Sequence, residues 1–92
     1  MAKAEISWRR LDAEGEKLQV YAHRLGGQWR FFARRRRYDR WEEQPEPLLE
    51  DWLELLDAVR RRVPRRRFPP QEIERLEQAI RERFPEADLQ GP

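Results

Sequence analysis

Apolar positions in the first third of the chain recur at every second residue. Ile6 and Trp8 alternate with Ser7 and Arg9, and Leu18, Val20 and Ala22 alternate with Gln19, Tyr21 and His23. A period of two marks strands with one buried face, because successive side chains leave a strand on opposite sides. Between these runs, Asp12-Ala13-Glu14-Gly15-Glu16 reads as a turn in which Gly15 takes the positive φ of a tight reversal. Gly26-Gly27 reads as a two-residue hairpin loop, since both central positions of a type I′ turn require positive φ. After a short leader, strands are therefore predicted over residues 5–11, 17–25 and 28–37.

The two-residue loop also sets a register, in which Leu25 opposes Gln28, His23 opposes Arg30, Tyr21 opposes Phe32 and Val20 opposes Ala33. One face then carries Leu18, Val20, Ala22, Trp29, Phe31 and Ala33 and is the core face. The other carries Gln19, Tyr21, His23, Arg30, Phe32 and Arg34. Trp8 is assigned to the core face, although a slip of one residue in the first turn would set it beside Tyr21.

Past Arg37 the alternation decays, and Pro45 and Pro47 exclude a continuing central strand. The period then changes. Leu48, Leu49, Trp52, Leu53, Leu56, Val59 and Val63 recur at spacings of three and four, which predicts an amphipathic helix over 47–63 with Pro47 as its first residue. Glu50 and Asp51 near its start and Arg60 to Arg62 near its end suit the helix dipole. Pro64 ends this helix. Ile73, Leu76, Ile80 and Phe84 predict a second helix over 70–84, with Glu77 and Arg81 placed to pair and Pro85 forbidding continuation. The tail, 85–92, is expected to be loosely held.

Three strands followed by two helices indicate an α+β domain: an antiparallel three-stranded meander with both helices packed on one sheet face, spanning residues 1–92 as a single small domain. A chain of 92 residues buries only about 60 to 65% of its unfolded surface, so a large internal active-site cavity is not expected.

Composition narrows the chemistry. The absence of cysteine removes disulfides, thiolate nucleophiles and cysteine-based metal sites, and His23 is the sole imidazole. Ser7 is the only serine, and threonine is missing. His23 opposite Arg30 is disfavoured from taking up a proton, and no hydroxyl stands at a defensible spacing from it. Catalysis is not expected, and no cofactor, metal or small-molecule substrate is indicated. No window approaches the roughly 18 apolar residues of a membrane span, and the N-terminus lacks the apolar core of a secretory signal, so a cytoplasmic location is expected.

Charge is striped. Residues 24–40 hold seven basic residues against one acidic, 41–57 hold seven acidic and no basic residue, and 58–67 hold six basic and no acidic residue. Arginine outnumbers lysine 18 to 2, for which the GC-rich codons of a high-GC bacterial genome supply a compositional origin. Arginine position, and not arginine number, therefore carries the functional reading. On the outward face, Tyr21 and Phe32 lie side by side within a frame of Arg30 and Arg34. Single-stranded nucleic acid is commonly held by bases stacked on aromatic rings while cations follow the phosphates. The expected function is thus a non-catalytic nucleic-acid-binding accessory protein, for RNA or DNA, using Tyr21, Arg30, Phe32, Arg34, Arg36, Arg65, Arg66 and Arg67. Strand alternation is expected to prevent Arg34 to Arg37 from forming one patch. The competing expectation is a protein-interaction module, a homodimer joined through the open sheet face or through its complementary charge blocks, with the Tyr38 to Trp41 segment or a second subunit covering the aromatics.

Overall fold

The computed structural model describes residues 5–25, 27–65 and 68–89. The chain divides into two compact units, residues 1–47 and residues 48–92. The α+β order expected from the periodicity is present, with one strand more than predicted.

The first unit is a four-stranded antiparallel sheet of order β1-β2-β3-β4, built from β1 (Glu5–Leu11), β2 (Lys17–Leu25), β3 (Gln28–Arg34) and β4 (Glu42–Gln44). Leu11 pairs with Lys17, which leaves residues 12–16 as the loop. Gly15 there has φ +81°, a left-handed conformation that disfavours residues with a Cβ. Asp12 locks this turn, because its Oδ1 accepts hydrogen bonds from the backbone N–H of Glu14 and of Glu16, each 2.9 Å long. Leu25 pairs with Gln28 as the two-residue loop requires, and Gly27 has φ +81°; Gly26 lies outside the described residues.

The predicted β2–β3 register is observed at every pair, including Tyr21 with Phe32. Of the core face as read, Val20, Ala22, Phe31 and Ala33 are buried, whereas Leu18 and Trp29 toward its ends are half-buried; Ile6 of β1 is buried as well. Each large side chain so buried contributes about 1.5 to 3 kcal/mol. Trp8 joins this face opposite Val20 and meets Phe31 edge to face, with ring centroids 6.2 Å apart.

Two boundaries differ. β3 stops at Arg34 instead of Arg37, because Asp39 draws the chain into a turn: its carboxylate accepts from the Arg36 N–H at 3.1 Å, and its own N–H donates to the Arg36 carbonyl at 3.0 Å. The chain then returns as β4, pairing Ala33 with Glu42 and Phe31 with Gln44. Pro45 follows at once and ends it, since proline removes the next ladder donor. The prolines thus limit a short edge strand and do not prevent one.

The second unit contains α1 (Leu49–Arg62), a single 3-10 turn (Val63–Arg65) and α2 (Gln71–Arg83). The α1 helix begins two residues after Pro47, with the Leu48 carbonyl accepting from Asp51 N–H at 3.0 Å and Trp52 N–H at 3.2 Å. Trp52, Leu55, Leu56, Ala58 and Val59 form its buried stripe, whereas Leu48 is exposed. Leu76 and Ile80 are the buried aliphatic positions of α2. Glu77 does not pair with Arg81. It accepts a 2.8 Å hydrogen bond from Arg60 of α1, a half-buried site where a charge pair is less screened than on the open helix surface. The same Arg60 donates to the Leu89 carbonyl at 2.6 Å, and Leu89 is buried. The tail is therefore anchored as far as Leu89, contrary to the loose tail expected; residues 90–92 lie outside the described residues, as do 1–4. Among the described residues no helix is long and apolar enough to cross a membrane.

Candidate nucleic-acid interface

The outer face of the sheet is set by the β2–β3 pairing. Tyr21 and Phe32 are direct cross-strand partners, and their rings stack with centroids 4.8 Å apart at 13°. Arg34 sits opposite Gln19 and donates from Nε to Gln19 Oε1 at 2.8 Å. Because a guanidinium has no acceptor, this bond also fixes which end of the Gln19 amide faces it.

Trp41 completes the cluster. Continuing the β3–β4 register past Glu42 brings its side chain over β3, where its indole meets Tyr21 edge to face at 4.7 Å and 85°. The Arg34 guanidinium lies 4.2 Å from the centroid of the Trp41 ring. The expected covering of the aromatics by the Tyr38 to Trp41 segment is therefore partly realised, by Trp41 alone. Tyr21, Phe32 and Arg34 are half-buried, while Trp41 remains 36% exposed. Burial lifts the Tyr21 phenol above its ordinary value of 10.0, and the Glu5 carboxylate pushes the same way.

Of the residues expected at the interface, Tyr21, Arg30, Phe32 and Arg34 share this face. Arg30 is drawn toward Glu43 of β4, with Nε 3.8 Å from the carboxylate. Arg36 lies in the β3–β4 loop and is exposed. Arg65 belongs to the 3-10 turn of the second unit, and Arg66 and Arg67 lie outside the described residues.

The early end of β3 overturns the reasoning that strand alternation scatters Arg34 to Arg37. Only Arg34 obeys that alternation. Arg35, Arg36, Arg37 and Arg40 stand on a loop, which strand geometry does not divide between faces. Arg35 is neutralised by Asp12 at 3.1 Å and Glu14 at 3.4 Å. The side chains of Arg36, Arg37 and Arg40 form no ion pair among the described residues. Tyr38, in their midst, is 93% exposed. The exposed loop and sheet-face residues that periodicity did not bring forward are thus Arg37, Tyr38, Arg40 and Trp41. The signal for them was Asp39, two residues past the arginine run, a residue type whose carboxylate turns the chain by accepting from nearby backbone N–H groups, here that of Arg36.

The hollow at the base of the loop is lined by Asp12, Asp39 and Glu42 as well as Arg34, Arg35 and Arg40. Three carboxylates oppose three guanidinium groups there, so the hollow carries no net charge. His23 Nδ1 stands 3.9 Å from Glu5 Oε2, beyond a hydrogen bond. No group of three or more metal-ligating side chains comes together among the described residues. Comparison with protein-family models, with curated proteins and with solved structures finds no match to this chain.

Proposed function

We propose that the protein is a non-catalytic nucleic-acid-binding accessory domain that holds single strands, RNA or DNA, on the β3–β4 loop and the adjoining outer face of the sheet. The observation that carries this reading is the β3–β4 loop, where Arg36, Arg37 and Arg40, exposed and without ion pairs among the described residues, flank the exposed Tyr38 along the chain. Guanidinium groups take phosphate oxygens through paired N–H donors, and an exposed ring offers a base its π face. The Trp41, Tyr21 and Phe32 cluster supports the loop from below, and Arg34, held by Gln19 and Trp41, keeps a cation at the junction.

The test is fluorescence anisotropy of labelled single-stranded RNA and DNA of about 12 nucleotides, within the usual range for a small binding module. Three phosphate contacts on single strands predict that log K falls by about 2 for each tenfold rise in salt. Replacing Arg36, Arg37 and Arg40 together with alanine removes most of that slope, and Tyr38→Ala costs about 1 to 3 kcal/mol of binding. Failure of both nucleic acids to bind near 50 mM salt, where such contacts are strongest, ends this reading.

A further inference from the structure

β1 pairs with β2 on one side and with no other described strand on the other, so it is an edge strand of this sheet; at its end the Leu11 carbonyl accepts from Arg10 Nη1 at 3.2 Å. Open edges recruit further strands unless their side chains oppose it. Those of β1 favour it in one arrangement. Glu5, Ser7 and Arg9 share the outer face, and Ile6 and Trp8 share the core face. Glu5 and Arg9 are equidistant from Ser7 and opposite in sign.

From this we infer that two copies of the chain associate through β1, antiparallel and centred on Ser7, with the two-fold axis perpendicular to the sheet. Glu5 of one copy then faces Arg9 of the other, Ile6 faces Trp8, and Ser7 faces its own counterpart. Directly opposed residues in an antiparallel pair share a face, so both charge pairs form on the outside and both apolar pairs on the core side. Shifting the pairing toward the C-terminus by one step of two residues sets Glu5 against Leu11 and Arg9 against Ser7, and a further step sets Arg9 against Arg9. The shift toward the N-terminus sets Glu5 against Ser7. Only the Ser7-centred register satisfies both charges of the outer face, and the isologous geometry repeats each contact twice. The product is a continuous eight-stranded sheet, from two copies of four strands, in which the outer faces form one surface. The inference stands independently of nucleic-acid binding.

A single strand pair falls below the roughly 1,200 Å² of a standard interface, so association is weak and is measured up to about 500 µM. Sedimentation equilibrium is expected to show a reversible dimer of the wild type. Glu5→Arg and Arg9→Glu, each alone, place like charges opposite one another twice and raise the dissociation constant about tenfold or more; the two together restore it. Because the chain has no cysteine, Ser7→Cys provides a second readout. Mild oxidation gives a covalent dimer, since opposed residues lie within the roughly 4.4 to 6.8 Å that a disulfide spans between Cα atoms, whereas Lys17→Cys, at the far end of β2, does not cross-link. A monomeric wild type at about 500 µM, equal dimerisation by all the charge variants, a combined variant that fails to restore association, or Ser7→Cys that does not cross-link would each overturn the inference.

Discussion

Trp41→Ala separates a ring that builds the sheet face from one that merely lies near it. Trp41 is 36% exposed, so about two thirds of the residue is out of contact with water. For a side chain that buries roughly 150 to 250 Å² in full, that amounts to about 100 to 160 Å², or about 2.5 to 4 kcal/mol at 25 cal/mol per Å². The contact with Tyr21 and the Arg34 guanidinium lie within this area, and residual burial in the unfolded chain lowers the sum, so the expected loss is about 2 to 3 kcal/mol. A double-mutant cycle with Arg34→Ala should return a coupling of about 0.5 to 1 kcal/mol, the size of a cation–π contact at a partly exposed site. Native-state hydrogen exchange at the amides of β2 and β3 is the assay, since it reports the sheet by itself. A loss under 1 kcal/mol, or zero coupling, would show that Trp41 is not seated on Tyr21 and Arg34 and would remove the support assigned to the loop.

In the second unit, Leu56→Ala should destabilise by about 2 to 5 kcal/mol, because Leu56 is fully enclosed on the α1 stripe; a urea-unfolding change under about 1 kcal/mol contradicts that packing. Asp12 predicts a pH dependence. The backbone N–H of Glu16, then that of Glu14, and the Arg35 guanidinium hold its carboxyl below the ordinary 3.8. A depressed folded-state value means that its stabilisation is complete above about pH 4 and disappears as pH falls through the lowered value. Asp12→Asn should flatten the loss of sheet stability between about pH 4 and 2 relative to the wild type, read from hydrogen exchange or urea midpoints; parallel profiles would refute the assignment.

The outer face was legible because its causes are local. Two adjacent glycines admit a two-residue loop, that loop fixes which β2 residue meets which β3 residue, and alternation then puts Tyr21 beside Phe32 and on the opposite side from Ala22 and Phe31. Gly15 announced its positive φ for the same reason. The helices declared themselves through spacings of three and four, although Leu48 proved exposed and Leu55, outside the expected stripe, proved buried. A helix stripe is wide enough that spacing leaves its margins undecided.

What alternation and turn chemistry determined, then, is the hairpin register, the two faces of the sheet and the existence of both helices, since each depends on residues a few positions apart. Tertiary structure alone decided the rest. β4 is too short to show a period and exists because β3 offers it an edge. Glu77 turned to Arg60 across the helix pair because that partner is better shielded than Arg81. Trp41 settled on Tyr21 and Arg34, residues 20 and 7 positions away, and the end of β3 freed the arginine run from the two faces of a strand. Such contacts join positions with no shared period, and their energies appear only once the chain has brought the partners together.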